Sequence, residues 1–323
     1  MTPSSIPAAL AAEPMDPALA TFLAQAAAQG NPPLESLPPA VGRQIYRQLA
    51  ATLSLPAPQV ASVEDRVIDG PGGPLTLRLY APLEAVAAPV PLLLYLHGGG
   101  FVIGDLETHD AVCRTLCHES GMKVAALEYR LAPEHPFPAA PDDAEAALRW
   151  LGANAAQLGA DPQRIAVAGD SAGAQLALVA ARRTAGVVPV SAVGMIYPVA
   201  QHHSDPSASY EENGEGKFLT TGAMRWFVDT YLGSTPDAAQ HPDFALLRAG
   251  SLAGLPPAWI ATMGHDPLRD EGHALAQRMA DEGVSVTHKH YPGGIHACIH
   301  FTAVSPIGHQ LTVELARWLR ARA

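Results

Sequence analysis

The chain has 323 residues, 48% of them hydrophobic, which is enough for one large α/β domain with a sizeable core and a smaller appendage. Lys and Arg number 20 against 31 Asp and Glu, and the formal net charge of −11 leaves no basic stripe for nucleic acid or an anionic membrane surface. The balance suits a neutral small-molecule substrate, and the sparse, odd cysteine set (Cys113, Cys117, Cys298) suits a reducing cytoplasm and no disulfide framework.

Residues 1–55 mix Ala-rich helical pieces with breaks such as Asn31-Pro32-Pro33 and Leu37-Pro38-Pro39, which predicts an N-terminal helical cap segment. Met1 to Pro7 has no basic start followed by an apolar core, so no secretory signal is expected. Residues 56–199 read as the first part of an α/β core. They open with alternating runs at 63–68 and 75–80 around a Gly-rich loop, a hairpin, and continue with strands at 92–96, 124–128, 165–167 and 192–197. Helical patterns at 110–119, 141–157 and 172–183 lie between them. Residues 200–247 break the alternation with polar Gln201-His202-His203-Ser204-Asp205 and then an amphipathic Ala223 to Asp229, and read as an insertion that joins the cap. Residues 248–323 complete the core with strands at 258–263 and 284–291 and helices at 271–282 and 306–322. Alternation of this kind predicts a mostly parallel sheet. The longest apolar stretch, 165–181, is interrupted by Asp170, Ser171 and Gln175, so it is not a membrane span.

That stretch carries the chemistry. Ser171 lies in Gly169-Asp170-Ser171-Ala172-Gly173, between an apolar strand and a helix-prone Ala174 to Leu178. This is the layout of a nucleophile elbow, where glycines two before and two after the serine leave room for a sharp turn. G-x-S-x-G arises by chance in roughly one chain in ten of this length, so its surroundings must support it. They do: the strand 92–96 runs straight into His97-Gly98-Gly99-Gly100-Phe101, whose bare N–H groups suit a tetrahedral oxyanion. Gly98 and Gly99 are the expected donors, with the N–H of Ala172 as the third. A phosphate loop would require a Lys-Ser/Thr ending or G-x-G-x-x-G, and neither follows His97.

Elbow-bearing α/β-hydrolases place nucleophile, acid and histidine in that chain order. The strand 258–263 ends at Gly264-His265-Asp266, which makes Asp266 the expected acid, with Asp270 read as an N-cap of the following helix. The strand 284–291 ends in Pro292-Gly293-Gly294-Ile295-His296, and His296 is the expected general base, in competition with His265, His288, His290 and His300. The pairs His288/His290 and His296/His300 could each be drawn as metal ligands, but no third carboxylate or cysteine clusters with them and a solvated strand face accounts for the first. No metal and no cofactor are expected. Cys113 and Cys117 read as small buried hydrophobes, and Tyr210 with Glu211-Glu212 as a solvated loop. Trp226, Phe227 and Tyr231 fit pocket lining or plain helix packing.

With these residues the chain resembles the hormone-sensitive lipase family of bacterial carboxylesterases. The resemblance rests on His97 to Gly104, Tyr129-Arg130-Leu131-Ala132-Pro133-Glu134-His135-Pro136, Gly169 to Gly173 and Asp266 to Gly272, segments that span most of the chain. It implies an eight-stranded sheet, a cap built from the N-terminus and the mid-chain insertion, and cofactor-free hydrolysis of short- to medium-chain acyl esters. It also implies the triad Ser171, Asp266, His296, and a homodimer is compatible with it. Departures from the family pattern are Ala174-Gln175 where Gly-Asn is common, Glu128 where Asp usually precedes Tyr-Arg, and Ala297-Cys298 where Gly-Phe usually follows the histidine. An amidase or lactonase with the same triad is the alternative, because acyl-transfer machinery does not itself choose the leaving group. The alternative from another class is a non-catalytic small-molecule receptor, against which the intact Asp266 and His296 argue.

Overall fold

The apolar runs form one eight-stranded sheet in the computed structural model, which describes residue 10 and residues 13–85, 89–235 and 237–322. Its strands are β1 (Ser62–Gly70), β2 (Gly73–Ala81), β3 (Val90–Leu96), β4 (Lys123–Glu128), β5 (Ala160–Asp170), β6 (Val190–Ile196), β7 (Ala258–His265) and β8 (Val286–Ile295). Their spatial order is β1-β2-β4-β3-β5-β6-β7-β8. β2 runs antiparallel to both β1 and β4, and every later pairing is parallel. The mostly parallel eight-stranded sheet expected from the sequence is therefore present.

The helices are α1 (Pro17–Ala28), α2 (Pro39–Leu53), α3 (Asp110–Ser120), α4 (Ala139–Asn154), α5 (Ala172–Arg183), α6 (Ala208–Glu212), α7 (Thr221–Leu232), α8 (Arg269–Asp281) and α9 (Pro306–Arg320). Each central strand feeds both faces of the sheet, because side chains alternate along it. Leu92, Leu94 and Leu96 of β3 join a core with α4, α5, α7 and α8, while Leu93 and Tyr95 join a second core with α3 and α9. Ile165 and Val167 of β5 face the first core, and Ala166 and Ala168 face the second. α5 has ten buried residues, as a helix packed on all sides requires.

The hairpin is tighter than the Gly-rich loop suggested. Both strands extend to pair Gly70 with Gly73, which leaves Pro71-Gly72 as the turn, and Gly73 takes φ 128. Arg130 packs so closely on Gly72 that a Cβ there would collide with its guanidinium. Parallel pairing aligns the C-terminal ends of β3, β5 and β6, with Leu96 opposite Gly169 and Gly169 opposite Met195. Loops leaving that edge converge, which is where open α/β sheets bind ligands. Helices α2 and α7 and the short turn Leu34–Ser36 roof the same edge. Residues 1–9, 11 and 12 of the expected cap segment lie outside the described residues. No helix among the described residues is long and apolar enough to cross a membrane.

Candidate active site

Ser171 stands between β5 and α5 with φ 54 and ψ −117, a region that side chains avoid. The flanking glycines are obligatory here. A Cβ on Gly169 would lie 2.4 Å from the Leu96 carbonyl oxygen, and one on Gly173 only 2.0 Å from the same atom. The Ser171 N–H donates to the Ile196 carbonyl oxygen at 2.8 Å, which ties the turn to β6.

His296 Nε2 is 2.9 Å from Ser171 Oγ, and its Nδ1 is 2.7 Å from Asp266 Oδ2. The three expected residues therefore meet in one relay, although 125 residues separate the serine from the histidine. Asp266 is fully buried, and its other oxygen accepts the Leu268 N–H at 2.8 Å. Leu268, not Asp270, is the N-cap of α8; Asp270 sits in the first turn and accepts the Ser209 N–H at 2.9 Å. Tyr197 packs its ring 4.4 Å from the His296 imidazole.

The serine opens into a cavity of about 500 Å³ lined by Gly99, Gly100, Tyr46, Met224, Phe227 and His296 among others. Phe227 lines it, whereas Trp226 and Tyr231 do not. The N–H groups of Gly99, Gly100 and Ala172 donate to no group among the described residues. Gly98 is a correction to the expected oxyanion donors. Its N–H donates to Asp170 Oδ1 at 2.9 Å and lies 3.3 Å from His109 Nε2, so it is already committed away from the cavity. The glycine is required for a different reason: a Cβ there would stand 2.2 Å from Asp170 Oδ2.

Asp170 is the residue that sequence reasoning passed over inside its own motif. Its Oδ1 accepts from Tyr95 Oη at 2.9 Å as well as from Gly98, and lies 3.1 Å from His109 Nε2. Burial works to raise this carboxyl, but the His109 imidazole and the hydrogen bonds overcome it and hold it at about 2. Beyond His109 stands His300, ring centroids 4.6 Å apart and edge-on, and its Nε2 lies 2.8 Å from the hydroxyl of Tyr46 on α2. Burial, aided by His109, lowers His300 to about 3, so it is neutral at ordinary pH. His109, Asp170 and His300 also have the proximity of metal ligands, within 4.8 Å of one another. Asp170 Oδ1 already accepts from a hydroxyl and an amide N–H, so the group works here as a hydrogen-bond node. His300 is thus buried behind the site and does not share a helix face with His296. His288 and His290 do not form a solvated face either, since both lie 2.9 Å from Thr262 Oγ1 and His288 is buried. Tyr210 is likewise buried, while Glu211 and Glu212 are exposed. Cys113 and Cys117 are buried, as expected, and so is Cys298.

A serine on a strained strand-to-helix turn, at the C-terminal edge of this sheet and under a helical roof, defines the class as an α/β-hydrolase. A family model described as alpha/beta hydrolase fold matches residues 93–300. The chain is 42% identical to the esterase LipI of Mycobacterium tuberculosis, over 77% of this chain and 79% of that one. It is 35% identical to an ethyl acetate hydrolase of Pseudomonas putida over 82% and 84%. Among solved structures, an ester-hydrolase from the metagenome of Lake Arreo superposes with a TM-score of 0.90 at 40% identity, covering 95% of this chain and 98% of that one. The chain belongs to the hormone-sensitive lipase family of α/β-hydrolases, a family of carboxylic ester hydrolases.

Proposed function

We propose that this protein is a serine carboxylesterase that cleaves short- to medium-chain acyl esters through Ser171, His296 and Asp266 and an acyl-enzyme intermediate. His296 Nε2 takes the Ser171 proton as Oγ attacks the ester carbonyl, and Asp266 holds the imidazole by its Nδ1–H and stabilises the imidazolium. The N–H groups of Gly99, Gly100 and Ala172 receive the oxyanion, with Gly100 replacing Gly98 in that role. Collapse of the tetrahedral adduct expels the alcohol, which leaves with the proton from His296. Water, activated by the same base, then frees the acid.

The observation that carries this reading is the continuous relay of 2.9 and 2.7 Å from Ser171 Oγ through His296 to Asp266, at the floor of a largely apolar cavity. The cavity's size and apolar lining support a short or medium acyl chain, with residues 1–55 and 200–247 acting as the cap. The sparse, odd cysteine set and the net charge of −11 support a cytoplasmic enzyme acting on neutral esters. A homodimer follows from the family resemblance alone and is read by light scattering.

Initial rates on p-nitrophenyl esters of increasing chain length, with matched anilides, test the proposal. Esters of short or medium chain should be preferred, and Ser171→Ala should lower kcat/KM by several powers of ten, on the order of 10⁴ to 10⁶. Near-normal ester cleavage by Ser171→Ala would sink the triad, faster anilide cleavage would make the enzyme an amidase, and no turnover of any substrate would favour the receptor.

A further inference from the structure

Away from the catalytic serine, a second group of metal-type side chains gathers where the 200–247 insertion leaves the sheet. His202 and His203 follow β6 by a few residues, and Asp229 projects from α7. One donor atom from each lies within 4.8 Å of the other two. His203 Nε2 is 2.9 Å from Asp229 Oδ1. The two imidazoles lie side by side, centroids 4.1 Å apart and planes 33° apart, and the His202 ring is held by Ser204, whose Oγ lies 2.9 Å from its Nδ1; the tautomer in which Nδ1–H donates to that oxygen leaves the Nε2 lone pair free for a ligand. Asp229 is two-thirds exposed, which leaves room for water beside the three side chains.

We propose that His202, His203 and Asp229 form a binding site for a divalent transition-metal cation of the Zn²⁺ type, and that its occupancy clamps the root of the insertion to α7. Two neutral imidazoles and one carboxylate, with a fourth position left to water, match the donor set and count that Zn²⁺ takes. Mg²⁺ and Ca²⁺ require oxygen-rich shells that this group does not supply. The His203–Asp229 pair does not itself use the second imidazole, which contacts Ser204 and, edge-on, Phe244. Stacking His202 on His203 brings two groups together that repel when protonated, whereas a shared cation makes their proximity useful. The position gives the clamp a consequence. Val199, just before the histidines, and Met224, Phe227 and Val228, on the helix that carries Asp229, all line the active-site cavity. A cation here would join two walls of that cavity from outside. The binding itself does not depend on the esterase reading.

The test is calorimetric titration of the chelator-treated full-length protein with ZnCl₂, beside Asp229→Asn and His203→Gln. One equivalent should bind with micromolar affinity. The melting temperature should rise by roughly 3–6 °C when free Zn²⁺ exceeds its dissociation constant a hundredfold, because a ligand of the native state stabilises it by mass action. Each substitution should weaken binding by at least about tenfold, and MgCl₂ at the same concentration should give no saturable heat. Both positions are partly or largely exposed, so the variants should melt like the parent without metal. The proposal is overturned by the absence of a saturable single site, by equal binding of Mg²⁺, or by binding that survives both substitutions, which would mark an adventitious ion only.

Discussion

Asp170, next to Ser171, ties together the loop that borders the cavity. Its carboxylate holds the Gly98 N–H, and so fixes the backbone from which Gly99 and Gly100 point toward the cavity. Asp170→Asn keeps the volume but presents an amide to Tyr95 and His109. On the mechanism proposed above, we expect kcat to fall about 10- to 100-fold with KM changed far less, because the Gly99 and Gly100 N–H groups would shift. Steady-state kinetics on one p-nitrophenyl ester decides it, and an unchanged kcat would show that the loop holds itself. Ala297 offers the opposite case. It follows His296 with φ 60, where a Cβ is strained, so Ala297→Gly should be neutral or stabilising by up to about 1 kcal/mol in urea unfolding. Clear destabilisation would mean that the methyl group's contacts beside the cavity outweigh the strain.

Among the elements, the link between α8 and the segment that follows β6 depends on one buried acid. Glu271 Oε1 accepts the Ala200 N–H at 2.7 Å, and burial, with the Asp266 charge, lifts its carboxyl to about 8. Glu271→Ala would strand that amide in the interior and should cost about 1–3 kcal/mol, whereas Glu271→Gln retains the acceptor and should cost little at pH 7. Chemical denaturation of the pair separates a lost hydrogen bond from a lost charge; equal losses would refute the role of the acceptor. These long-range ties explain which parts of the molecule could be read from its sequence. The central strands declared themselves as short apolar runs bounded by turn residues and the hairpin β1–β2 by its alternation, and β3, β5 and β7 end directly in the motifs singled out from the sequence. The positions of Asp266 and His296 just beyond the ends of β7 and β8, where they meet Ser171, were legible for the same reason. The fate of the Gly98 N–H was not, because its acceptor lies 72 residues further along the chain. The burial of His300, His288 and Tyr210 was hidden likewise, since their partners come from distant elements and nothing in their neighbours' identity signals it.

For the molecule as a whole, the unused histidines set the response to acid. Burial depresses His97 to about 4 and His288 and His300 to about 3, with His109 adding to the first and third and His273 to the second. The unfolded chain takes up protons at these side chains below about pH 6.5 while the folded protein does not, so their contribution is complete above that pH and lost as pH falls toward 3–4. Glu271, raised in the fold, acts in the other sense: its contribution is full below about pH 4.5 and lost as pH rises through about 8. Melting temperature should therefore peak near pH 6.5, with a loss on the acid side on the order of 2–3 kcal/mol per pH unit between about pH 6 and 4.5. Calorimetry across pH 4.5–9 checks this, and a flat profile would show that these histidines are not buried neutral.

The roof over Ser171 has a consequence for how such an enzyme diversifies. Leu34 and Tyr46 come from the N-terminal helices and Phe218, Met224 and Phe227 from the insertion, whereas Ser171, Asp266 and His296 are set by the sheet edge. Much of the cavity wall and the Ser171–His296–Asp266 relay at its floor thus come from separate stretches of the chain. Residues 34–49 and 218–228 can therefore drift, or be exchanged between relatives as cassettes, and reshape the cavity while Ser171, Asp266 and His296 stay where the ends of β5, β7 and β8 hold them.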